Sequence, residues 1–291
     1  MKILVTGVTG FIGGHLAPAL VDAGHEVYGV VRDLRRARGS WTPVEWDLMR
    51  PLERDRLPRV EAVVHLAQAN VPFPEHAREL YRVNTVSTQE LLDYARETGA
   101  RRVLYASSAT VYGLGRKPFR ETDAVAYEDF YAVTKINAEQ LVGTYRSFFD
   151  TVVFRFVAPY GPGQQGRLIP RLIDRVDEGL PIRLAPGGRP RMNPIYVDDV
   201  IRVLLAALEL DGHQLLNVGG DEVAGIDELA QLVGDVLGRE PIFEHAAEGA
   251  RGDVVVDTSR LHKLLPLRPL VPLADGLRRT TESRLAAGAA R

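Results

Sequence analysis

The chain predicts an α/β fold: a doubly wound parallel sheet of the Rossmann type, followed by a smaller C-terminal capping α/β region. Three observations carry this. The first half alternates short apolar, β-branched runs with longer amphipathic stretches; a glycine-rich turn separates the first run from the first helix; and beyond about residue 158 prolines and glycines thicken and the alternation loosens.

Strands are expected at 2–6, 26–31, 60–66, 102–106 and 151–157, with helices near 11–23, 77–97 and 131–149. Strand, helix and strand in this order form right-handed crossovers, which make a parallel sheet covered on both faces. Gly24 and Gly99 stand where a left-handed residue closes a helix. Pro18 lies inside the first helix and removes a backbone bond, so a kink or an early stop is expected there. In the second half, helices are expected near 167–179, 198–210, 226–238 and 275–288, and short strands around 182–184 and 215–218. The segment after about residue 280 is expected to fray.

Composition narrows the function classes. With 291 residues, 45% of them hydrophobic, the chain can bury a full core. Lys plus Arg number 36 against 38 Asp plus Glu, so there is no net positive field to collect nucleic acid or an anionic membrane. The basic residues are 32 Arg and 4 Lys, scattered rather than massed. The absence of cysteine excludes disulfides, thiolate metal sites and Cys nucleophiles, and no metal site is expected. No apolar run approaches the roughly 20 residues of a membrane helix, and Lys2-Ile3-Leu4-Val5-Thr6 reads at once as a strand. A cytoplasmic protein is expected.

The glycine turn is Thr6-Gly7-Val8-Thr9-Gly10-Phe11-Ile12-Gly13. Placed between a strand and a helix, Gly7, Gly10 and Gly13 allow a tight turn and a close backbone approach to a pyrophosphate. The phosphate charge then sits on the free N–H groups and positive end of the helix. Residues 1–158 are therefore expected to form an NAD(P)-binding domain that also carries the chemistry. Residues 159–291 are expected to form a mainly substrate-binding cap, intertwined with it.

That chemistry is carried by Tyr131 and Lys135, four apart at the start of a helix and so on one face, twenty-three residues after Ser108 at the end of a strand. A free phenol has a pKa near 10 and is a poor base at neutral pH; a neighbouring ammonium stabilises its phenolate. Tyr131 can then take a hydroxyl proton or return one.

The Gly-x-x-Gly-x-x-Gly spacing, Ser107-Ser108-Ala109-Thr110-Val111-Tyr112-Gly113 and Tyr131-Ala-Val-Thr-Lys135-Ile-Asn-Ala138-Glu139 together resemble the extended short-chain dehydrogenase/reductases, the NAD-dependent epimerase/dehydratase family. The resemblance implies Ser108, Tyr131 and Lys135 as catalytic residues. It implies a cofactor site of Gly7, Thr9, Gly10, Phe11, Ile12, Gly13, Arg32, Asp33, Asp47, Leu48, Leu66, Ala67, Asn84, Tyr131 and Lys135. Within it, Asp47-Leu48 would hold the adenine, Val64-His65-Leu66-Ala67 would run along the middle of the cofactor, and Asn84 would open the fourth helix. Val31 stands where NAD-dependent epimerases of the family carry Asp, and Val31-Arg32-Asp33, with Arg35 and Arg36 beyond, resembles the NADP-dependent reductases. A guanidinium matches a 2′-phosphate, so NADP(H) is favoured; NAD(H) is the alternative if Asp33 turns to the ribose.

Toward the C-terminus the match loosens. Arg155-Phe-Val-Ala158-Pro-Tyr160-Gly161-Pro162-Gly163 resembles a family segment in which Asn, not Ala158, touches the sugar diphosphate. Arg191-Met-Asn193-Pro-Ile-Tyr196-Val-Asp198-Asp199 resembles another, with Arg191 one residue before the diphosphate-binding position. Ser108, Ala109, Thr110, Ala158, Arg167 and Arg191 are the candidate substrate residues. The family's 4,6-dehydratases carry Thr-Asp-Glu where this chain has Ser108-Ala109-Thr110, so dehydration is excluded. The expectation is a nucleotide-sugar 4-epimerase or 4-ketoreductase, homodimeric through the helices 77–97 and 131–149. Two alternatives stand beside it: an NADPH-dependent reductase of a non-sugar ketone, like dihydroflavonol reductases or hydroxysteroid dehydrogenases, and a non-catalytic dinucleotide sensor.

Overall fold

A computed structural model describes residues 1–249, 252–267 and 269–289. Strands β1 (Lys2–Thr6), β2 (Glu26–Val31), β3 (Thr42–Glu45), β4 (Ala62–His65), β5 (Arg102–Ser108), β6 (Asp150–Phe156) and β8 (His213–Val218) form one seven-stranded sheet in the order β3-β2-β1-β4-β5-β6-β8. The pairs from β3 through β5 are parallel, with Ile3 facing Val27 on one side and Ala62 on the other. The order reverses between β1 and β4. In open α/β sheets that reversal opens a crevice at the carboxyl ends of the strands, where ligands bind.

Each expected strand forms, and two are added, β3 in this sheet and a short strand at 243–245. The β3 sequence, Thr-Pro-Val-Glu, carries a proline, which an edge strand tolerates because its outer side needs no ladder bonds. Helix α1 (Phe11–Asp22) runs on through Pro18, so the early stop does not occur. Leu16, Ala17 and Leu20 are buried, and their packing outweighs one lost backbone bond while Pro18 itself faces outward. The helix expected at 77–97 is built as α2 (Ala77–Tyr81), a π-helical turn (Arg82–Val86) and α3 (Ser87–Thr98), closed by left-handed Gly99. Helix α4 (Phe130–Thr144) begins where the Asp129 carboxylate accepts from the Ala132 N–H at 2.7 Å.

The chain divides into two compact units. The first holds residues 1–111, 125–155 and 201–216; the second holds 112–124, 156–200 and 217–291. In the first, Leu4, Val63, Leu91, Tyr94, Val103 and Val142 lie in one apolar core that α3 and α4 share with the sheet. In the second, α5 (Leu168–Asp177), α7 (Ile226–Leu237) and α9 (Leu273–Ala289) pack together, burying Leu172, Ile173, Leu229, Val233 and Leu277. The remaining elements are α6 (Val197–Ala207), α8 (Ser259–Leu264) and a two-stranded parallel pair, β7 (Ile182–Leu184) with β9 (Phe243–His245). The end that was expected to fray is helical through Ala289. Thr280 and Thr281 are buried, and Arg284 is bidentate on Asp174, which ties the last turns down; Ala290 and Arg291 lie outside the described residues.

Candidate active site

The first unit carries the glycine turn and the Tyr–Lys helix. Gly7 has φ +72°, and a Cβ there would stand 2.8 Å from the Ala67 nitrogen, so the turn and the loop after β4 can touch only because Gly7 has no side chain. A Cβ on Gly13 would meet the Gly7 carbonyl at 2.1 Å, so the helix rests directly on the turn. No side chain caps α1, in contrast to α4. The N–H groups opening α1, at Phe11, Ile12 and Gly13, therefore face a cradle that suits an anion. A dinucleotide pyrophosphate fits these residues.

Beneath the cradle lies a closed polar network. Thr6 Oγ1 lies 2.6 Å from His65 Nδ1 and accepts from the Ala67 N–H at 3.1 Å. His65 Nε2 lies 2.9 Å from Thr88 Oγ1, whose own proton goes to the Asn84 carbonyl. With that proton spent, Thr88 accepts from His65, so the imidazole carries its hydrogen on Nε2 and takes the Thr6 proton on Nδ1. Burial drives the His65 pKa down to about 3, so the ring is neutral and locks β1 to β4 and α3. Asn84, expected at the cofactor, has its amide engaged with the protein: Oδ1 accepts from the Ala69 N–H at 2.7 Å, and Nδ2 donates to the Ala69 carbonyl and to Thr134 Oγ1.

The end of β2 is open by comparison. Asp33 caps the following 3₁₀ turn through the Arg35 N–H and holds the Arg35 guanidinium at 2.9 Å on each oxygen. Arg32 is exposed. It lines a cavity of about 320 Å³ together with Trp46, Asp47, Arg50 and Leu57. Neither Arg32 nor Arg50 has a side-chain partner among the described residues. Asp47 Oδ1 accepts from the Met49 N–H at 3.0 Å, and Leu48 belongs to the apolar core.

At the chemical end, β5 delivers Ser107 and Ser108 side by side. Ser108 Oγ accepts from the Thr110 hydroxyl at 2.9 Å and from its N–H at 3.3 Å, leaving the Ser108 proton without an acceptor among the described residues. Tyr131, in the first turn of α4, donates its phenol proton to Gln68 Oε1 at 2.7 Å. Lys135, one turn on, is 1% exposed and donates to the Ala106 carbonyl at 2.8 Å. Its Nζ lies 5.0 Å from the Tyr105 ring centre and 5.9 Å from that of Tyr131. Burial pulls the Lys135 pKa down to about 7, against the opposing pull of Glu139. Glu139 is itself bidentate on buried Arg155, with Nη2 at 2.6 Å, and accepts from the Ser107 hydroxyl. The arrangement presents a phenol and a serine hydroxyl that can exchange a proton with, and orient, one substrate oxygen, beside an ammonium whose charge favours the phenolate.

In the second unit, Ala158 has φ +37°, the one positive φ at a non-glycine residue among those described. Asn and Gly adopt that conformation readily, so Ala158 loses an amide and carries backbone strain as well. Arg191 pairs with Glu228 at 3.1 Å, and its N–H donates to Asp253, which also holds Arg189. The neighbouring Met192 is 8% exposed, so the expected diphosphate position is filled by a core residue. Arg167 precedes α5 and is exposed.

Three site residues escaped the sequence reading: Gln68, Arg50 and Glu139 as a partner of Arg155. Glu139 had a signal, since a charge four residues after Lys135 shares its helix face. Gln68 and Arg50 had none, because loop contacts depend on the backbone path. No cluster of metal-ligating side chains occurs among the described residues, and no described helix is long and apolar enough to cross a membrane.

The model of the NAD dependent epimerase/dehydratase family matches residues 3–219. The chain is 28% identical to the uncharacterized UDP-glucose epimerase YtcB of Bacillus subtilis, over 95% of this chain and 96% of the relative. It is 30% identical to a dTDP-4-dehydro-6-deoxy-D-allose reductase of Streptomyces, over 96% and 94%. Among solved structures it resembles the UDP-glucuronic acid 4-epimerase of Bacillus cereus in complex with UDP-glucuronic acid and NAD, with a TM-score of 0.89 and 25% identity, over 99% of this chain and 100% of that one.

Proposed function

The chain belongs to the NAD dependent epimerase/dehydratase family, and from that premise we propose that it acts on a nucleotide sugar, moving a hydride at a hydroxyl or ketone carbon as a 4-epimerase or a 4-ketoreductase. The observation that supports the reading is Lys135, one turn after Tyr131 on α4, donating to Ala106 of β5, the strand that ends at Ser108. Gly7, Gly10 and Gly13, with the N–H groups opening α1, would hold the pyrophosphate of a nicotinamide dinucleotide. That cofactor, when bound, accepts a hydride from the sugar carbon or gives one to it. Tyr131 takes the hydroxyl proton or returns it to the ketone oxygen. Ser108 donates its unengaged proton to the same oxygen and holds it in line. Lys135 supplies positive charge beside the phenol, and the buried Arg155–Glu139 pair braces the same face of its helix one turn further on.

Net reduction with NADPH is favoured within this reading by the end of β2. Val31 leaves no carboxylate at the strand end, Asp33 is held by Arg35, and Arg32 and Arg50, with no side-chain partner among the described residues, line one cavity that Glu45, Asp47 and Glu53 line as well. Two cations there suit a 2′-phosphate. The reading extends to a homodimer, which native mass measurement tests directly.

Incubation with UDP-glucuronic acid, UDP-glucose and a dTDP-4-dehydro-6-deoxy sugar, in the presence of NAD or NADPH, decides the chemistry. An epimerase yields the 4-epimer with no net use of cofactor; a ketoreductase consumes one NADPH per product. Calorimetry with UDP, dTDP and GDP tests the substrate class. If none binds at millimolar concentration with dinucleotide present, the nucleotide-sugar reading falls and reduction of a non-sugar ketone takes its place.

A further inference from the structure

The hydroxyl of Tyr131 is held. It donates to Gln68 Oε1 at 2.7 Å, and a second route ties the same two residues together through the backbone. Ala69, next to Gln68, is clasped by the Asn84 amide on both its N–H and its carbonyl. Asn84 also donates to Thr134 Oγ1 at 3.0 Å, and the Thr134 hydroxyl donates to the Tyr131 carbonyl at 2.7 Å. A ring therefore closes from Gln68 to the Tyr131 hydroxyl, along Tyr131 to its carbonyl, and back through Thr134, Asn84 and Ala69. The π-helical turn at Arg82–Val86 is what carries Asn84 into this position, where it is 1% exposed. Such a brace fixes the distance between the loop after β4 and the first turn of α4. Gln68 itself remains exposed, so its amide is free to turn while its backbone is not.

We propose that Gln68 is a positioning residue for Tyr131, aiming the phenol proton and following the hydroxyl through its ionisation. A primary amide is suited to this because it offers both roles from one place. Oε1 accepts from the phenol, as observed, and a half-turn brings Nε2 to donate to the phenolate. Charged and titratable groups of this unit face Tyr131 from several elements, with the Asp129 carboxylate at the cap of its own helix. Lys135 lies on its own helix, with Glu139 one turn beyond; Tyr105 faces it from β5; His65, from β4, is neutral; and the π turn contributes the uncharged Asn84. Gln68 is in direct hydrogen-bond contact with the phenol oxygen, so a change of charge at residue 68 acts on that oxygen at contact distance.

The inference rests on Tyr131 as the proton-transfer group, and its test separates the two. Tyrosinate absorbance is titrated in the full chain, and the wild-type curve minus that of Tyr131→Phe isolates the Tyr131 ionisation without substrate. Gln68→Glu keeps the acceptor but replaces the donor by a negative charge, and it should raise the Tyr131 pKa by about one unit or more. Gln68→Leu, which can neither accept nor donate, should lower kcat about tenfold with KM within about twofold, because the misaimed hydroxyl still leaves binding intact. Dinucleotide affinity and melting temperature report that each variant is folded. A Tyr131 ionisation unmoved in Gln68→Glu overturns the proposal, as does a Gln68→Leu enzyme with lower KM and undiminished kcat, which would make Gln68 a mere occupant of the substrate's place. Full turnover by Tyr131→Phe would instead sink the mechanism and leave the titration result standing.

Discussion

Two polar regions of the first unit are built on opposite plans. Around Lys135 the groups are sealed in: Lys135, His65, Thr88, Asn84 and Ser107 are all buried, and each has a partner that fixes its direction. Around Arg32 the groups are open, with Arg32, Arg35 and Arg50 exposed on flexible stems. Buried charge is costly, and a protein keeps it only where geometry must be exact to a fraction of an ångström. Exposed cations cost little and can adapt. On the proposed reading, the bond-making step belongs to the rigid region and the choice of dinucleotide to the soft one.

The sharpest way to break this division is Tyr131→Phe. Turnover should fall by roughly 10²–10⁴-fold while dinucleotide affinity stays nearly intact, since the missing oxygen acts on substrate rather than on cofactor. Lys135→Met comes next and should move stability and activity in opposite directions. The folded pKa of Lys135 is lowered from 10.5 to about 7, so between those pH values the unfolded chain binds more protons than the folded one. Stability therefore rises with pH across that window, and below it the buried lysine opposes folding in full. Removing the charge should stabilise the ligand-free protein at pH 7 by on the order of a few kcal/mol, less what the lost bond to Ala106 contributes. Urea melts at pH 7 and pH 9 measure this. The gap between variant and wild type should shrink at the higher pH, and a constant gap would show that burial of charge is not its cause.

The same division explains what could be read from the sequence. The placement of Ser108, Tyr131 and Lys135 was legible because β5 and α4 fix it, and a four-residue spacing on a helix becomes a spatial fact without further information. Gly7 and Gly13 were legible for the same reason, their close backbone contacts tolerating no side chain. Asn84 was found, but a sequence cannot announce that a π turn will aim its amide at Ala69 and Thr134. Gln68 and Arg50 were missed because each depends on how a loop returns to the sheet. Arg191 was visible as a cation, but not that Glu228, far along the chain, would neutralise it.

In the soft region, Arg32→Ala should weaken NADPH by on the order of 1–3 kcal/mol and NADH far less, because only the former presents a phosphate to a guanidinium. Fluorescence titration of both reduced cofactors measures the difference. Arg50→Ala should act in the same direction, and the double variant should lose no more than the sum if the two cations contact separate phosphate oxygens. A wild-type protein that binds NADH more tightly than NADPH would overturn the assignment of this cavity and make Asp33 the candidate ribose ligand.

The smallest effect is expected from Arg35→Ala, and it asks whether Asp33 is withheld from the ribose or simply placed elsewhere. Asp33 accepts three hydrogen bonds from Arg35, one from its backbone and two from its guanidinium. Alanine keeps the backbone bond, so the turn after β2 survives and the carboxylate loses only its side-chain partner. The pair is exposed and screened by solvent, so little stability is at stake and melting should be unchanged. What changes is the charge at the end of β2: an Asp33 released from the Arg35 guanidinium repels a nearby 2′-phosphate and can accept from a 2′-hydroxyl. The ratio of NADPH to NADH affinity should therefore fall by about two- to fivefold, a shift of the size that surface ion pairs produce. The shift should shrink as salt is raised, because the repulsion acts through water. A ratio that stays fixed at low salt would mean that Asp33 does not face the cofactor in either state, leaving Arg32 and Arg50 to set the preference alone.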